Sequence, residues 1–289
     1  MEKLTISMPA KINISINVRN KLASGYHSVE MIMQTIDLFD VITVEKTQCG
    51  ISIQCDDPKL PCDQGNIAFK AAELFFSKCP NRGGAKITLK KSIPIAAGLG
   101  GGSSDAAGVL KALNELHNHC LTDIQLMLIS RHLGSDVTFF LSGGTQLAKG
   151  KGDEITKLPD LEGIHVLLVN PGFPVSTQWV YENLDLDNLG ERPNISNLIS
   201  AIEAMDINYI AMNMKNVLES VTLNAYPELK TIKSKLTELG AIGSLMSGSG
   251  PTIFGIFPDG DTAKAAKQEF LKQYTNVYHN MTIGRWNDG

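Results

Sequence analysis

One stretch restricts the fold more than any other. Residues 93–107 read Ile93-Pro94-Ile95-Ala96-Ala97-Gly98-Leu99-Gly100-Gly101-Gly102-Ser103-Ser104-Asp105-Ala106-Ala107. A strand-like run at 85–90 leads in. Residues 104–116 lead out, with Ala106, Val109, Leu110, Leu113 and Leu116 at helical spacing. Glycines let the backbone curl close to a ligand, and the free N–H groups of a helix start, backed by the helix dipole, point at it. Such a coil suits a phosphate. A lone glycine turn before a helix is more often only a turn. Four glycines within residues 98–102, followed by a serine pair, favour the anion. The chain has no Gly-Lys-Ser/Thr of a Walker A loop. Gly98-Leu99-Gly100 opens a dinucleotide fingerprint, but Ser103 stands at its third glycine and no acidic ribose ligand is evident.

The rest of the chain sets outer limits. At 289 residues it is long enough for one large or two modest domains. Apolar content of 43% and charged content of 19% describe a globular protein. A net charge of −4 without a Lys/Arg run argues against nucleic acid as partner. No apolar run approaches the ~18 residues of a membrane span, and no signal-peptide pattern opens the chain, so the expectation is no membrane and a cytoplasmic setting. Five cysteines without CxxC spacing (Cys49, Cys55, Cys62, Cys79, Cys120) suggest neither a zinc site nor a disulfide framework.

Residues 11–18 alternate strictly. Ile12, Ile14, Ile16 and Val18 share one face and Lys11, Asn13, Ser15 and Asn17 the other, which predicts a half-buried strand. Further strands are expected at 41–44, 51–55 and 85–90, and helices at 66–79 and 104–116. Thr122 and Gln125 form a capping box for a helix that Gly134 closes. The texture changes after Gly150. A buried-looking strand at 164–169 precedes a Pro/Gly loop and a mostly helical region, 177–239, in which Pro227 opens a helix and Gly240 ends one. Strands at 241–246 and 252–257 flank the turn Ser247-Gly248-Ser249-Gly250-Pro251; Asp261 is expected to cap a last helix, and 277–283 to form a last strand. The class is α+β, with domains 1–160 and 161–289.

Three constellations could join the glycine coil. Lys11 and Asn13, two apart on a strand, lie roughly 6.5–7 Å apart and can reach one ligand; a lone strand lysine is otherwise a surface charge. Asp136 follows the helix-ending Gly134 and reads equally as an N-cap. Residues 246–252 read by themselves as a hairpin turn.

Taken in order, Pro9-Ala10-Lys11-Ile12-Asn13, the Pro94–Asp105 phrase and Ser247-Gly-Ser-Gly-Pro-Thr252 resemble the three motifs of the GHMP small-molecule kinase superfamily. Gly25-Tyr26-His27, Met31-Ile-Met-Gln-Thr35, Gly134-Ser-Asp-Val137, Gly143-Gly-Thr145 and Asn216-Val-Leu-Glu219 narrow the likeness. They are similar to the branch that phosphorylates a CDP-linked methylerythritol on the methylerythritol phosphate route to isoprenoid precursors. The resemblance runs from about residue 8 to 257.

It implies an N-terminal domain like ribosomal protein S5 domain 2, a ferredoxin-like C-terminal domain, and a cleft where ATP and the small-molecule substrate meet. Asp136 would be the general base for the substrate hydroxyl. Lys11 would keep Asp136 ionised and stabilise the moving phosphoryl group. The ATP loop would comprise Pro94, Gly98, Leu99, Gly100, Gly101, Gly102, Ser103 and Ser104, with Asn66 and Asn114 as further nucleotide contacts. Asn13, Tyr26, His27, Asp136, Thr177 and Tyr181 would face the substrate, with the cytosine stacked between two tyrosines. Mg²⁺ is expected with ATP, through phosphate oxygens and water, and no residue is assigned to it. The family commonly has Asp where Ser24 stands, a position of turn chemistry that Ser can supply.

The rival readings are another GHMP kinase, acting on homoserine, mevalonate or a sugar, and a non-catalytic ATP-binding regulator of the same fold. A dinucleotide-dependent oxidoreductase is disfavoured by the broken fingerprint.

Overall fold

The computed structural model describes residues 1–23, 25–80 and 83–285, so Ser24 lies outside the described residues. These fall into two compact units assembled from separated stretches. Unit 1 takes Met1–Ala10, Leu38–Ile93 and Gly100–Ser142; unit 2 takes Lys11–Asp37, Pro94–Leu99 and the chain from Gly143 onward. The boundary expected near residue 160 lies within unit 2. Strands β1 (Lys3–Lys21) and β2 (His27–Thr47) each contribute residues to both units.

In unit 1, β3 (Ile51–Cys55) precedes α1 (Ile67–Lys78) and β4 (Gly84–Lys90). Residues 41–47 of β2 pair antiparallel with β4, Val44 opposite Ile87, and β3 pairs parallel on the other edge of β4. Three helices follow: α2 (Gly101–Leu116), α3 (Asp123–Leu133) and α4 (Ser135–Phe140). Helix α1 opens on Asn66, whose Oδ1 accepts the Ala68 amide, and buries Ala68, Ala71, Ala72 and Phe75. Helix α2 starts three residues earlier than its apolar spacing indicates, because Gly101 and Gly102 join its first turn. Gly108 lets it approach the strands: a Cβ there would lie 2.4 Å from Ile42 Cδ1 and 2.6 Å from Met8 Cγ.

Two expectations are corrected in this unit. Gly134 both ends α3 and occupies the N-cap position of α4, so Asp136 lies in the first turn of α4 and does not cap it. Cys79, at the C-cap of α1, is disulfide-bonded to Cys120, in the α2–α3 connection. Forty-one residues separate the two cysteines, and only the packing of α1 against α2 and α3 brings them together.

In unit 2, β5 (Thr145–Lys149) pairs with β2 residues 31–34 and with β6 (Glu154–Lys157). The order is then β7 (His165–Asn170), α5 (Thr177–Glu182), α6 (Ile195–Glu203), α7 (Ile207–Asn213), β8 (Lys215–Asn216), α8 (Glu219–Ala225) and α9 (Glu228–Glu238). β9 (Gly243–Met246), β10 (Ile253–Phe257), α10 (Gly260–Leu271) and β11 (Asn276–Met281) complete it. Four strands form an antiparallel sheet in the order β11-β7-β10-β9, against which α9 and α10 pack. Numbered along the chain, that order is 4-1-3-2 with helices between the first and second and the third and fourth strands, a ferredoxin-like arrangement. Asp259, and not Asp261, caps α10: its Oδ1 accepts the amides of Asp261 and Thr262.

The alternating strand at 11–18 also departs from expectation. Its apolar face is buried as predicted, but Lys11, Asn13, Ser15 and Asn17 are buried too. A polar strand face inside a protein usually finds partners, and here all but Ser15 Oγ do so. Asn17 Oδ1 accepts from the Arg192 guanidinium at 2.8 Å, and Lys11 and Asn13 pair with each other. Among the described residues no helix is long and apolar enough to cross a membrane.

Candidate functional site

The first half of the glycine loop belongs to unit 2 and is gripped by another backbone. Gly98 adopts φ +77°, in the left-handed region that favours glycine. A Cβ on it would lie 2.1 Å from the carbonyl oxygen of Ser247. Ser247 Oγ donates to the Gly98 carbonyl at 2.9 Å, so this serine touches the loop through side chain and main chain alike. The 246–252 turn is thus a clasp for the loop as well as a hairpin connection.

The clasp has its own supports. Asn216 Nδ2 donates to the carbonyls of Met246 (2.8 Å) and Gly248 (2.7 Å), Glu219 Oε1 accepts the Met246 amide (2.9 Å), and Thr222 Oγ1 donates to the Ser249 carbonyl (3.1 Å). Sequence patterning gives Asn216 and Glu219 no role beyond the resemblance and passes over Thr222. Their only signal is position: Asn216 ends β8, which pairs with β1 at Ser15–Lys215, and Glu219 and Thr222 lie on α8 just after it.

β1 also reaches the loop. The Lys11 amide donates to the Leu99 carbonyl at 3.0 Å. Lys11 is only 4% exposed, and its ammonium donates to Asn13 Oδ1 at 2.5 Å. Asn13 in turn donates to Met31 Sδ at 3.7 Å. Lys11, Asn13 and residues 94–99 therefore form one connected group within unit 2.

The second half of the loop belongs to unit 1. Gly100, at φ +75°, is the N-cap of the 16-residue α2 and offers no capping side chain, so the first-turn amides keep their free direction. Gly102 is exposed and Ser103 half-exposed, whereas Ser104 is buried and donates its hydroxyl to the Pro9 carbonyl at 2.6 Å. Of the two serines, Ser103 is the one placed to meet a ligand. The bare helix start fits a phosphate. Asn66 Nδ2 donates to the Pro61 carbonyl while its Oδ1 caps α1. Asn114 gives both amide atoms to the backbone of Leu121. Asp136 is half-buried in the first turn of α4 in unit 1. No group of three or more His, Cys, Asp or Glu side chains among the described residues could hold a metal ion.

The residues expected to meet a nucleobase also lie in unit 2. The rings of His27 and Tyr181 are 5.1 Å apart with planes inclined by 31°. Burial, and then the Lys21 charge, lower the His27 pKa, which favours the neutral imidazole near pH 7. Tyr26 is exposed, with the Lys151 ammonium 5.0 Å from its ring centre. Of the Tyr26-His27 pair, the histidine is the one whose ring lies against Tyr181. Thr177, one turn before Tyr181 on α5, shares a 2.8 Å hydrogen bond with Ser249 Oγ, which links α5 to the clasp.

Comparison with known proteins gives these features a family. GHMP kinases N terminal domain matches residues 66–144, and GHMP kinases C terminal matches 198–276. A 4-diphosphocytidyl-2-C-methyl-D-erythritol kinase of Acetivibrio thermocellus is 48% identical over 98% of this chain and 100% of its own length. The chain belongs to the 4-diphosphocytidyl-2-C-methyl-D-erythritol kinase family, within the GHMP kinases. A crystal structure of a 4-(cytidine 5'-diphospho)-2C-methyl-D-erythritol kinase superposes with a TM-score of 0.83 at 32% identity, covering 97% of this chain and 100% of that one. Homoserine kinase from Cytophaga hutchinsonii, at 19% identity and a TM-score of 0.79 over 99% of this chain and 96% of its own, shares the fold. The α+β architecture is that of a GHMP kinase, and the family uses ATP to phosphorylate a small molecule.

Proposed function

We propose that the chain transfers the γ-phosphoryl group of ATP to the 2-hydroxyl of 4-diphosphocytidyl-2-C-methyl-D-erythritol, within the methylerythritol phosphate route to isopentenyl diphosphate. The glycine loop carries the kinase part of this reading. Its left-handed glycines, its clasp and the uncapped start of α2 give a fixed row of amide donors for phosphate oxygens. The kinase at 48% identity supplies the alcohol.

In this reading the residues divide the work by chemistry. Amides of residues 100–103 and the Ser103 hydroxyl bind the phosphates. ATP supplies the electrophilic phosphoryl group, and Mg²⁺ bound with it would neutralise phosphate charge. Asp136 accepts the hydroxyl proton. The Lys11 ammonium stabilises negative charge on the hydroxyl oxygen and the transferring group, and Asn13 keeps it oriented. Catalysis here is mostly positioning and electrostatics, which suits a lysine held by a buried strand rather than by a loop. The rings of Tyr181 and His27 receive the cytosine, a stacking worth roughly 1–3 kcal/mol per base.

The direct experiment is phosphorus NMR after incubation with ATP, Mg²⁺ and the CDP-linked alcohol. A new phosphomonoester signal, with ADP, is expected. Turnover of homoserine or mevalonate in its place would move the chain to another branch, and ATP binding with no turnover of any alcohol would make it a silent regulator. Asp136→Asn should lower kcat by about 10²–10⁴-fold in the same assay. Tyr181→Ala should raise KM for the CDP alcohol by about tenfold and leave KM for ATP unchanged; equal effects on both would remove it from the cytidine wall.

A further inference from the structure

Asp40, Lys91 and Asp105 form a buried ionic cluster in unit 1 that the reading above does not use. Lys91 directly follows β4. Its ammonium contacts Asp40 Oδ2 and lies 2.5 Å from Asp105 Oδ2, and the Lys91, Asp40 and Asp105 side chains are 6%, 0% and 3% exposed. Asp40, on β2, also accepts through Oδ1 the amides of Ser92 (2.6 Å) and Ile93 (2.9 Å), immediately before Pro94. Asp105 stands on α2, just past the glycines. Gly101 lies between: a Cβ there would be 3.1 Å from Ile93 Cγ2 and 3.5 Å from Asp40 Oδ2. The cluster therefore touches the approach to the glycine segment and its exit.

Stability alone is a poor reason to keep such a group. Desolvating three charges is costly, and well-packed apolar side chains would commonly serve at least as well. Charge-assisted hydrogen bonds add direction, because they fix their partners in one geometry. We infer that Asp40, Lys91 and Asp105 are positioning residues for ATP, with one ammonium holding the loop entrance and the start of α2 so that the first-turn amides are aimed before the phosphates arrive. The inference rests on the reading of the loop as the ATP site.

The electrostatics agree with a group under tension. Burial by itself lowers the Lys91 pKa, but Asp105 and Asp40 reverse this and raise it, so the ammonium stays charged. Burial pushes Asp105 up to about 7, against the pull of Lys91 and with the repulsion of Asp40. Asp105 Oδ1 accepts no hydrogen bond among the described residues, and the Lys91 ammonium is the neighbouring charge that favours its ionised form. Lys91 and Asp40 are the charged groups that bear on it. Above neutrality Asp105 is a carboxylate and grips Lys91; below, it gains a proton and the grip weakens.

Steady-state kinetics on the full-length protein test this. Asp105→Asn mimics the protonated form, so its KM for ATP should exceed that of the parent about tenfold near pH 8 and no more than about twofold near pH 6, with KM for the CDP alcohol little changed. Lys91→Met should raise KM for ATP at both pH values. An Asp105→Asn to parent ratio that is the same at both pH values, or equal to one throughout, overturns the inference, and this comparison decides even if Lys91→Met fails to fold. Failure of the unaltered protein to bind ATP would instead defeat the reading of the loop itself.

Discussion

The two halves of the glycine segment are held by opposite kinds of chemistry. At Gly98, in unit 2, the grip is neutral: backbone on backbone, with one serine hydroxyl added. Past Gly100, in unit 1, it is ionic, with Asp105 and Asp40 sharing the Lys91 ammonium. A neutral clasp is indifferent to pH and salt but intolerant of any added atom. An ionic one tolerates small changes of shape and depends on which carboxylate is charged. One short loop therefore offers steric rigidity at one end and a titratable constraint at the other.

Substitutions can break or sharpen that contrast. The largest effect is expected from Gly98→Ala. The new Cβ would collide with the Ser247 carbonyl, and alanine resists the left-handed backbone, so a destabilisation of about 3 kcal/mol or more should appear in chemical denaturation, with ATP binding lost. A stable, ATP-binding Gly98→Ala protein would mean that the clasp yields. Ser247→Ala removes one hydrogen bond and leaves the backbone contact, so about 0.5–1.5 kcal/mol is expected, equal at low and high salt. Gly101→Ala should do least. The helix-propensity gain of about 1 kcal/mol offsets crowding against Ile93 Cγ2, and denaturation should show a net change near zero. Equal damage from Gly98→Ala and Gly101→Ala would erase the distinction.

Much of this was legible in the sequence, for identifiable reasons. Period-two alternation located β1, a capping box located α3, and the run of glycines located the loop. These signals are local: each arises from neighbours within a few residues. What escaped depends on distance along the chain. The Cys79–Cys120 bond and the Asp40–Lys91–Asp105 cluster each join residues far apart in sequence, and nothing near either of them announces the partner, whereas the reach of the Ser247 turn to the glycine loop is implied by the family resemblance. The burial of the polar face of β1 is likewise invisible locally, since alternation reports two faces but not that both are covered. Asp261 lost the cap of α10 to Asp259 by two residues, a competition between like side chains that pattern alone does not resolve.

Unit 2 is stitched from three pieces of chain, and this limits how relatives can be recombined. Gln34 and Thr35 bond the Ile283 carbonyl, Lys215 of β8 faces Ser15 of β1, and Ser247 rests on Gly98. A chimera with a single crossover near residue 160 would draw each of these pairs from two different parents. Grafts that exchange residues 11–37, 94–99 and 143 onward together keep every pair native, and they are the better vehicle for moving alcohol preference from one GHMP kinase to another.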